Sequence, residues 1–215
     1  MFGHLISDSL LEGFTHHLES LGINCIRPYS KGTTGLVFLA VWRGEKVVIK
    51  LQRPDSPRKN LRREAELMSF LAPFGVTPPL VAYGEFRGLE YIVRRFAEGE
   101  VILRADVEKR HIFEVVEKTA LLDRLGLDHG QIQGGKHIII GERVWIIDFE
   151  KANWRKPKNL TSAMAMLFLN DNVISRRVRT KFGLENSFLS ALKRELVGYK
   201  RNGKISGVLS LLSGL

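Results

Sequence analysis

Five short segments of the chain carry side chains that could hold phosphate groups and a divalent cation. In chain order they are a glycine-rich turn, a lysine ending an apolar run, a glutamate, a His-Gly turn and an aspartate. They comprise Gly32-Thr33-Thr34-Gly35, Lys50, Glu64, Asp128-His129-Gly130 and Asp148. Glycine lets backbone amides approach phosphate oxygens, a lysine neutralises phosphate charge, and a carboxylate binds Mg²⁺. Each segment alone is a weak signal, but the ordered set indicates a site for phosphate and metal.

The lysine needs a partner if its strand is buried. Lys50 ends the apolar run 47–49, and an unpaired ammonium inside a protein is costly. A helix expected over 60–71 offers Glu64, with Glu66 as its rival. The two carboxylates point about 200° apart on a helix, so only one can face Lys50. We favour Glu64, because apolar residues follow it; the alternative is an edge-strand lysine with its head in water.

The aspartate follows a second apolar run. Asp148 ends the segment 144–147, which has the composition of a buried strand. A carboxylate at such a position is either a structural cap or a Mg²⁺ ligand. The two short strands that precede it favour the metal role.

These residues require a sheet-rich first part and a helix-rich second part. We expect an N-terminal helix within 1–22, a sheet unit over 23–96 and a mainly helical unit over 97–215. The predicted strands are 23–29, 36–42, 46–51, 80–83, 90–96, 138–140 and 144–147. The predicted helices are 5–20, 60–71, 105–125, 160–170 and 187–199, with a loop at 30–35, a linker at 52–59 and a connector at 96–99. Asn60 is the expected cap of the second helix. The fold class is therefore α+β.

Composition indicates the cellular compartment and the class of binding partner. One cysteine in 215 residues excludes an internal disulfide and favours a reducing cytoplasm. No signal peptide and no membrane-length apolar run is visible, so we expect no membrane partner. Residues 151–215 hold 13 Lys or Arg against 3 Asp or Glu, whereas residues 1–150 hold 20 of each sign. This asymmetry favours a polyanionic partner over an ordinary solvated basic surface.

The ordered segments resemble the protein-kinase-like superfamily over about residues 26–150. Within it, the chain resembles the Rio kinases and other small atypical kinases with His-Gly-Asp in place of His-Arg-Asp. Three segments are also similar to an archaeal family of RNA kinases formerly labelled predicted serine/threonine kinases. They are Asp128-His129-Gly130, Lys136-His137-Ile138 and Ile147-Asp148-Phe149-Glu150.

That resemblance implies a bilobal protein-kinase-like fold, with a small antiparallel-sheet lobe and a mostly helical lobe. It implies Mg²⁺ and ATP as cofactors, with GTP as the alternative donor, and phosphorylation of a tRNA variable-loop uridine at its 2′-hydroxyl. The implied nucleotide contacts are Gly32, Thr33, Thr34, Gly35, Lys50, Arg95 and Ala97. We expect a monomer.

Two positions depart from the superfamily pattern. Gln131 stands where the catalytic aspartate is expected, and Lys136 where the metal-binding asparagine is expected. A glutamine amide is not a general base, and a lysine does not coordinate Mg²⁺. Glu150 also replaces the glycine of Asp-Phe-Gly. One interpretation is therefore an inactive kinase that binds nucleotide or RNA.

The other interpretation is an active kinase that transfers a phosphoryl group without a strong general base. Phosphoryl transfer passes through a loose transition state, so positioning and charge neutralisation dominate. Gln131 would then orient a ribose hydroxyl, and Lys136 would neutralise charge, unless it is a solvated loop lysine. Asp128 and His129 are candidate proton acceptors, although a packing role is the favoured alternative for His129.

Basic residues downstream of Asp148 are the candidate RNA contacts. They are Arg155, Lys156, Lys158, Arg176, Arg177, Arg179 and Lys181. Cations of this kind bind phosphates without reading sequence, and such binding weakens with salt. Trp154 and Tyr199 could stack on a base, with a core position as the alternative for Trp154. The function predicted first is a tRNA 2′-O-kinase, and the alternatives are a Rio-like serine/threonine protein kinase or a non-catalytic nucleotide- or tRNA-binding protein.

Overall fold

The structure is a computed structural model that describes residue 2 and residues 5–56 and 60–215. Residues 1, 3 and 4 of the predicted N-terminal segment and residues 57–59 of the predicted linker lie outside the described residues. The chain divides into two compact units, of which the first ends at Ala97 and the second begins at Glu98.

The first unit is built on one antiparallel five-stranded sheet. Its helices are α1 (Asp8–Ser20) and α2 (Leu61–Leu71), and a 3₁₀ turn follows at Ala72–Phe74. Its strands are β1 (Ile23–Lys31), β2 (Gly35–Trp42), β3 (Glu45–Gln52), β4 (Leu80–Phe86) and β5 (Leu89–Arg95). The strand order is β1-β2-β3-β5-β4, so β3 is central.

Alternation along β3 gives the sheet two different faces. Ile49 and Leu51 pack in a core cluster with Phe14 of α1. The intervening Lys50 lies opposite Ile92 of β5, and Ile92 packs against α2 in a second cluster. Because successive side chains on a strand point to opposite faces, Lys50 is directed to the α2 face.

Helix α2 is capped from the sheet and not by the predicted Asn60. The Asn60 side chain makes no capping hydrogen bond. The buried carboxylate of Glu90, on β5, accepts from Leu61 N at 3.0 Å and from Arg62 N at 3.3 Å. A carboxylate on the first amides of a helix satisfies donors that have no partner within the helix. This long-range cap fixes the start of α2 against the sheet.

The second unit is mainly helical, with two small antiparallel sheets. Its helices are α3 (Lys109–Arg124), α4 (Asn159–Met164), α5 (Val173–Lys181), α6 (Asn186–Asn202) and α7 (Ser206–Leu212), and a π-helical turn at Ala165–Leu169 continues α4. Its strands are β6 (Glu100–Val101), β7 (Leu127–Asp128), β8 (Ile138–Ile140), β9 (Val144–Ile146) and β10 (Asn153–Trp154), with a 3₁₀ turn at Ile132–Gly134. Strands β6, β8 and β9 form one sheet, and β7 and β10 form the other.

The helix predicted from residue 105 begins four residues later, at Lys109. The backbone amide of Glu108 donates to His111 Nδ1 at 3.0 Å, and this local bond stops the helix from extending backwards. The predicted α+β class, with an antiparallel sheet and separate helices, is confirmed. Within the described ranges, no helix is long and apolar enough to cross a membrane.

Candidate functional site

The lysine of β3 forms a buried ion pair with α2. Lys50 Nζ lies 2.9 Å from Glu64 Oε2, and the two side chains are only 14% and 4% exposed. Glu66 lies on the solvent side of the helix, where it pairs with Arg62 at 3.3 Å. A carboxylate hydrogen-bonded to a largely buried ammonium gives that ammonium a defined direction. Glu64 is therefore the carboxylate that orients Lys50.

Gly35 provides the surface on which Lys50 lies. A Cβ added at Gly35 would sit 3.1 Å from Lys50 Cγ and 3.3 Å from Lys50 Cε. A side chain at position 35 would therefore press on the lysine stem, which would have to shift by a few tenths of an ångström. The glycine that ends the turn thus serves the lysine as well as the turn.

The glycine-rich turn is closed by backbone hydrogen bonds and by an arginine. Gly32 N donates to Gly35 O at 2.8 Å, and Arg53 N donates to Thr34 O at 2.9 Å. The Arg53 guanidinium donates to Gly32 O at 3.2 Å and forms a bidentate pair with Asp55. That hydrogen-bonded pair raises the pKa of Arg53. Lys31, Gly32, Thr33 and Arg53, with Leu5, line an open hollow of about 530 Å³.

Arg53 was missed by the sequence reasoning. The signal that could have found it is its place directly after β3, two residues before a carboxylate. An arginine there can reach back to the turn that opens β2, because β2 and β3 are paired to their ends.

The other two predicted nucleotide contacts of this unit are used within the fold. The Arg95 guanidinium pairs with the Glu45 carboxylate and lies 5.2 Å from the centre of the Trp42 ring. Ala97 is buried. The contact of Arg95 and Ala97 with a nucleotide stays a prediction.

In the second unit, Asp148 lies just after β9 in an uncommon backbone conformation. Its φ is 66°, in the left-handed region that non-glycine residues seldom adopt. Its carboxylate is 34% exposed and lies 3.5 Å from His137 Nδ1. Ile147 N also donates to His137 O at 2.9 Å. His137, which was noted only as part of a motif, therefore contacts the carboxylate predicted to bind metal.

His129 holds the His-Gly turn together. Its ring is fully buried, Nε2 donates to Ile147 O at 3.0 Å, and Phe149 packs edge-on at 4.8 Å between ring centres. Burial lowers the pKa of His129 to about 4, so the ring is neutral at pH 7. His129 thus ties the His-Gly turn to the segment that carries Asp148, which is the packing role that the sequence favoured for it.

Asp128 is likewise engaged within the fold. Its carboxylate is buried and accepts from Arg155 Nε at 2.6 Å. Asp128 therefore anchors Arg155 to the strand that leads into the His-Gly turn, and its role as a proton acceptor stays a prediction.

Asn159, at the start of α4, is a second residue that sequence reasoning missed. It is 1% exposed, its Oδ1 accepts from His129 N at 2.9 Å, and its Nδ2 donates to Leu127 O at 2.8 Å. It thus grips the backbone on both sides of Asp128. Asp123 accepts from both Asn159 N and Nδ2 at 2.8 Å. A single asparagine in a basic loop carries no sequence signal for this role.

Gln131 and Lys136 lie in the segment between the His-Gly turn and β8. Gln131 directly precedes the 3₁₀ turn and is half-buried, while Lys136 is exposed. Both side chains are thus accessible enough to meet a substrate.

The residues of the second unit fit Mg²⁺ through Asp148. No group of three or more His, Cys, Asp or Glu side chains that could hold a metal is found in the described part of the chain. Mg²⁺ does not need one, because it binds through one or two carboxylates together with phosphate oxygens and water. The half-exposed carboxylate of Asp148, with Glu150 two residues on, suits that mode.

Most of the basic residues of α5 have partners within the unit. Arg177 donates to Ile102 O at 2.7 Å and to Leu103 O at 3.0 Å, and its contact with RNA stays a prediction. Arg176 pairs with Asp171 at 3.1 Å, Arg179 Nε donates to Ser175 O at 3.3 Å, and Lys181 pairs with Asp106 at 2.5 Å. Helix α5 therefore offers less cationic surface than its composition suggests.

The two aromatic residues that were expected to stack on a base, Trp154 and Tyr199, differ in their exposure. Tyr199 is buried and its hydroxyl donates to Asp123 at 2.8 Å, which corrects the expectation that it stacks on a base. Burial raises the pKa of Tyr199. Trp154 is 51% exposed, so it is not a core residue. Lys156 and Lys158, close behind it, are exposed as well.

Comparison with known proteins gives two matches. The phosphotransferase enzyme family matches residues 26–136, just over half of the 215 residues. An uncharacterized protein of Methanocaldococcus jannaschii is 33% identical over 114 residues, a match that covers 49% of this chain and 97% of that protein. The family match includes the glycine-rich turn, Lys50, Glu64 and the His-Gly turn, and ends before Asp148.

Proposed function

The chain belongs to the phosphotransferase enzyme family, and from that premise we propose that it transfers the γ-phosphate of ATP to a ribose 2′-hydroxyl of tRNA. Family membership supports a kinase-like phosphotransfer activity that uses a nucleotide and Mg²⁺. The resemblance of the His-Gly turn and of the segment around Asp148 to an archaeal RNA kinase family supports the acceptor.

One observation carries the proposal: the buried pair of Lys50 and Glu64, with the lysine stem lying on Gly35. An ammonium fixed by a glutamate beside a glycine-rich turn is the arrangement with which kinases hold α- and β-phosphates. Glu64 orients the Lys50 ammonium, Gly35 leaves room for the lysine stem on the sheet, and Arg53 hydrogen-bonds the glycine-rich turn.

Asp148 would hold Mg²⁺, which when bound neutralises charge on the phosphates. Neither His129 nor Asp128 takes the acceptor proton in this proposal, because both are buried in hydrogen bonds. Gln131 orients the ribose hydroxyl, and Lys136 neutralises charge that develops on the transferred group. A loose transition state places little demand on a base, so positioning carries the reaction. The bond from the ribose 2′-oxygen to the γ-phosphorus forms as the β–γ bridging P–O bond breaks, ADP leaves, and the hydroxyl proton passes to solvent water.

The charge distribution of the chain supports an RNA acceptor. The whole excess of positive charge lies in residues 151–215, while residues 1–150 are neutral. A tRNA presents a dense array of phosphates that such a region attracts and steers. A serine/threonine protein kinase, the alternative acceptor class, needs no surface of this kind.

A second candidate function is nucleotide and RNA binding without transfer. Gln131 and Lys136 favour it, because they replace a base and a metal ligand. The variants Lys50→Ala and Asp148→Ala distinguish this candidate function from phosphate transfer.

The test is incubation with γ-labelled ATP, Mg²⁺ and a mixture of tRNAs and proteins. We expect label on tRNA that survives removal of the 5′-phosphate and is lost in Lys50→Ala and Asp148→Ala. Lys46→Ala, an exposed lysine of the same strand, is the matched control and should keep the activity. Label on protein alone would favour the protein kinase, and nucleotide binding without label on any acceptor would favour the second candidate.

A further inference from the structure

The short strand β10 is attached to the backbone that leads into the His-Gly turn. It pairs with β7 so that Asn153 lies opposite Asp128 and Trp154 opposite Leu127. Arg155 N then donates to Gly126 O at 3.2 Å. The position of Trp154 is therefore fixed by a ladder of backbone bonds to the turn.

Trp154 is far more exposed than a tryptophan usually is. Half of its surface meets solvent, although large aromatic side chains are mostly buried in folded proteins.

Cations surround this tryptophan along the chain. Lys151, Arg155, Lys156 and Lys158 are all exposed, and residues 151–158 contain no acid. Cations that follow a phosphate backbone, combined with an aromatic face for the bases, are what single-stranded nucleic acid needs. A duplex keeps its bases stacked inside and would leave the ring without a partner.

Arg155 links this surface to the His-Gly turn. Its Nε donates to the buried Asp128, and its Nη2 lies 3.3 Å from where a Cβ on Gly130 would stand. The side chain is still 52% exposed. A guanidinium held along one edge can present the other edge to a phosphate, since its donors form a rigid fork.

We propose that residues 151–158 form an acceptor platform that binds unpaired RNA, with a base stacked on Trp154 and the adjoining phosphates on Arg155, Lys156 and Lys158. This inference rests on the proposed function and deepens it. The unpaired loop of an RNA is selected over its helical stems, and the strand pairing of β10 sets the bound nucleotide beside the His-Gly turn.

Binding is measured without ATP, by the anisotropy of a labelled single-stranded oligouridine of about 10 nucleotides. Trp154→Ala is expected to weaken binding about tenfold without altering its salt dependence, whereas Trp154→Phe keeps most of the affinity. Lys156→Ala with Lys158→Ala is expected to lower the slope of log Kd against log salt by about 1.4, or roughly 0.7 per phosphate contact. Tyr29→Ala, which removes an aromatic ring 53% exposed in the first unit, is the matched control and should bind like the parent.

A second readout is specific to the ring. In a Trp42→Phe, Trp145→Phe background, Trp154 is the remaining tryptophan. Its fluorescence should be quenched by single-stranded RNA and much less by an RNA duplex. Unchanged affinity in Trp154→Ala, or equal binding of duplex and single strand without quenching, would overturn the platform.

The platform and the proposed function fail in different ways. If RNA is phosphorylated but Trp154→Ala binds and turns over like the parent, the platform is wrong and the function stands. If oligouridine quenches Trp154 and no RNA is phosphorylated, the platform stands and the function is wrong.

Discussion

Acidification should destabilise the protein through one histidine. His129 is fully buried, its Nε2 donates to Ile147 O, and its pKa is lowered from 6.5 to about 4 by burial. The unfolded chain therefore takes up a proton near pH 6.5 that the folded chain refuses until about pH 4. Because the folded pKa is depressed, the stabilisation is complete above the unfolded pKa and is lost as the pH falls between these two values.

The size of the effect follows from the shift. One pKa unit corresponds to about 1.4 kcal/mol, so the full shift corresponds to about 3 kcal/mol of unfolding free energy. Between about pH 7 and about pH 4.5 the loss from this group is about 2 kcal/mol. Such a loss is a large share of the stability of an ordinary domain.

The assay is urea unfolding at a series of pH values in a Trp42→Phe background. The fluorescence then reports on Trp145 and Trp154, both in the second unit. His129→Gln removes the titration, so over the same interval it should lose about 2 kcal/mol less than the parent. His16→Gln, at an exposed histidine, is the control and should follow the parent. Equal pH dependence of the parent and His129→Gln would refute the buried, neutral imidazole.

Three further substitutions test the other contacts. Gly35→Ala should weaken nucleotide binding severalfold in a titration, because the added methyl presses on Lys50 Cγ. The control is Gly198→Ala in α6, where the added methyl meets open space; it should leave nucleotide binding unchanged and leave stability unchanged or slightly raised. Asn159→Ala should lower the unfolding free energy by about 3 kcal/mol, because it leaves the buried His129 amide and Leu127 carbonyl unpaired. The control Thr161→Ala, which removes an exposed hydrogen bond of α4, should lower the unfolding free energy by less than about 1 kcal/mol. Lys136→Ala should reduce the rate of phosphate transfer at least tenfold while ATP affinity stays within about twofold; equal rates would remove the charge role proposed for this exposed lysine.

The sheet unit was predictable because its signals are local. Apolar runs bounded by turn residues mark β2 and β3, and the two-residue period of a strand sets Lys50 on the face opposite Ile49. The choice of Glu64 over Glu66 also followed from helical periodicity, since apolar residues share its side of α2. Local patterns determine the face of a strand or helix on which a side chain lies, and this was sufficient to pair Lys50 with Glu64.

What could not be predicted depends on residues far apart in the chain. The cap of α2 comes from Glu90, about thirty residues later, and the support of the His-Gly turn comes from Asn159, thirty residues after His129. A count of charged residues likewise does not show which cations have partners within the fold, and Arg177 donates to two backbone carbonyls. Only tertiary structure brings such partners together.

The mass of the nucleotides released from tRNA after incubation with ATP and Mg²⁺ tests the central claim most directly. The account predicts one nucleotide that carries an additional phosphate on its ribose 2′-oxygen. That product should form with the parent and with Lys46→Ala, and should be absent with Lys50→Ala and Asp148→Ala. Unmodified tRNA in every reaction, or the same product from Lys50→Ala as from the parent, would contradict it.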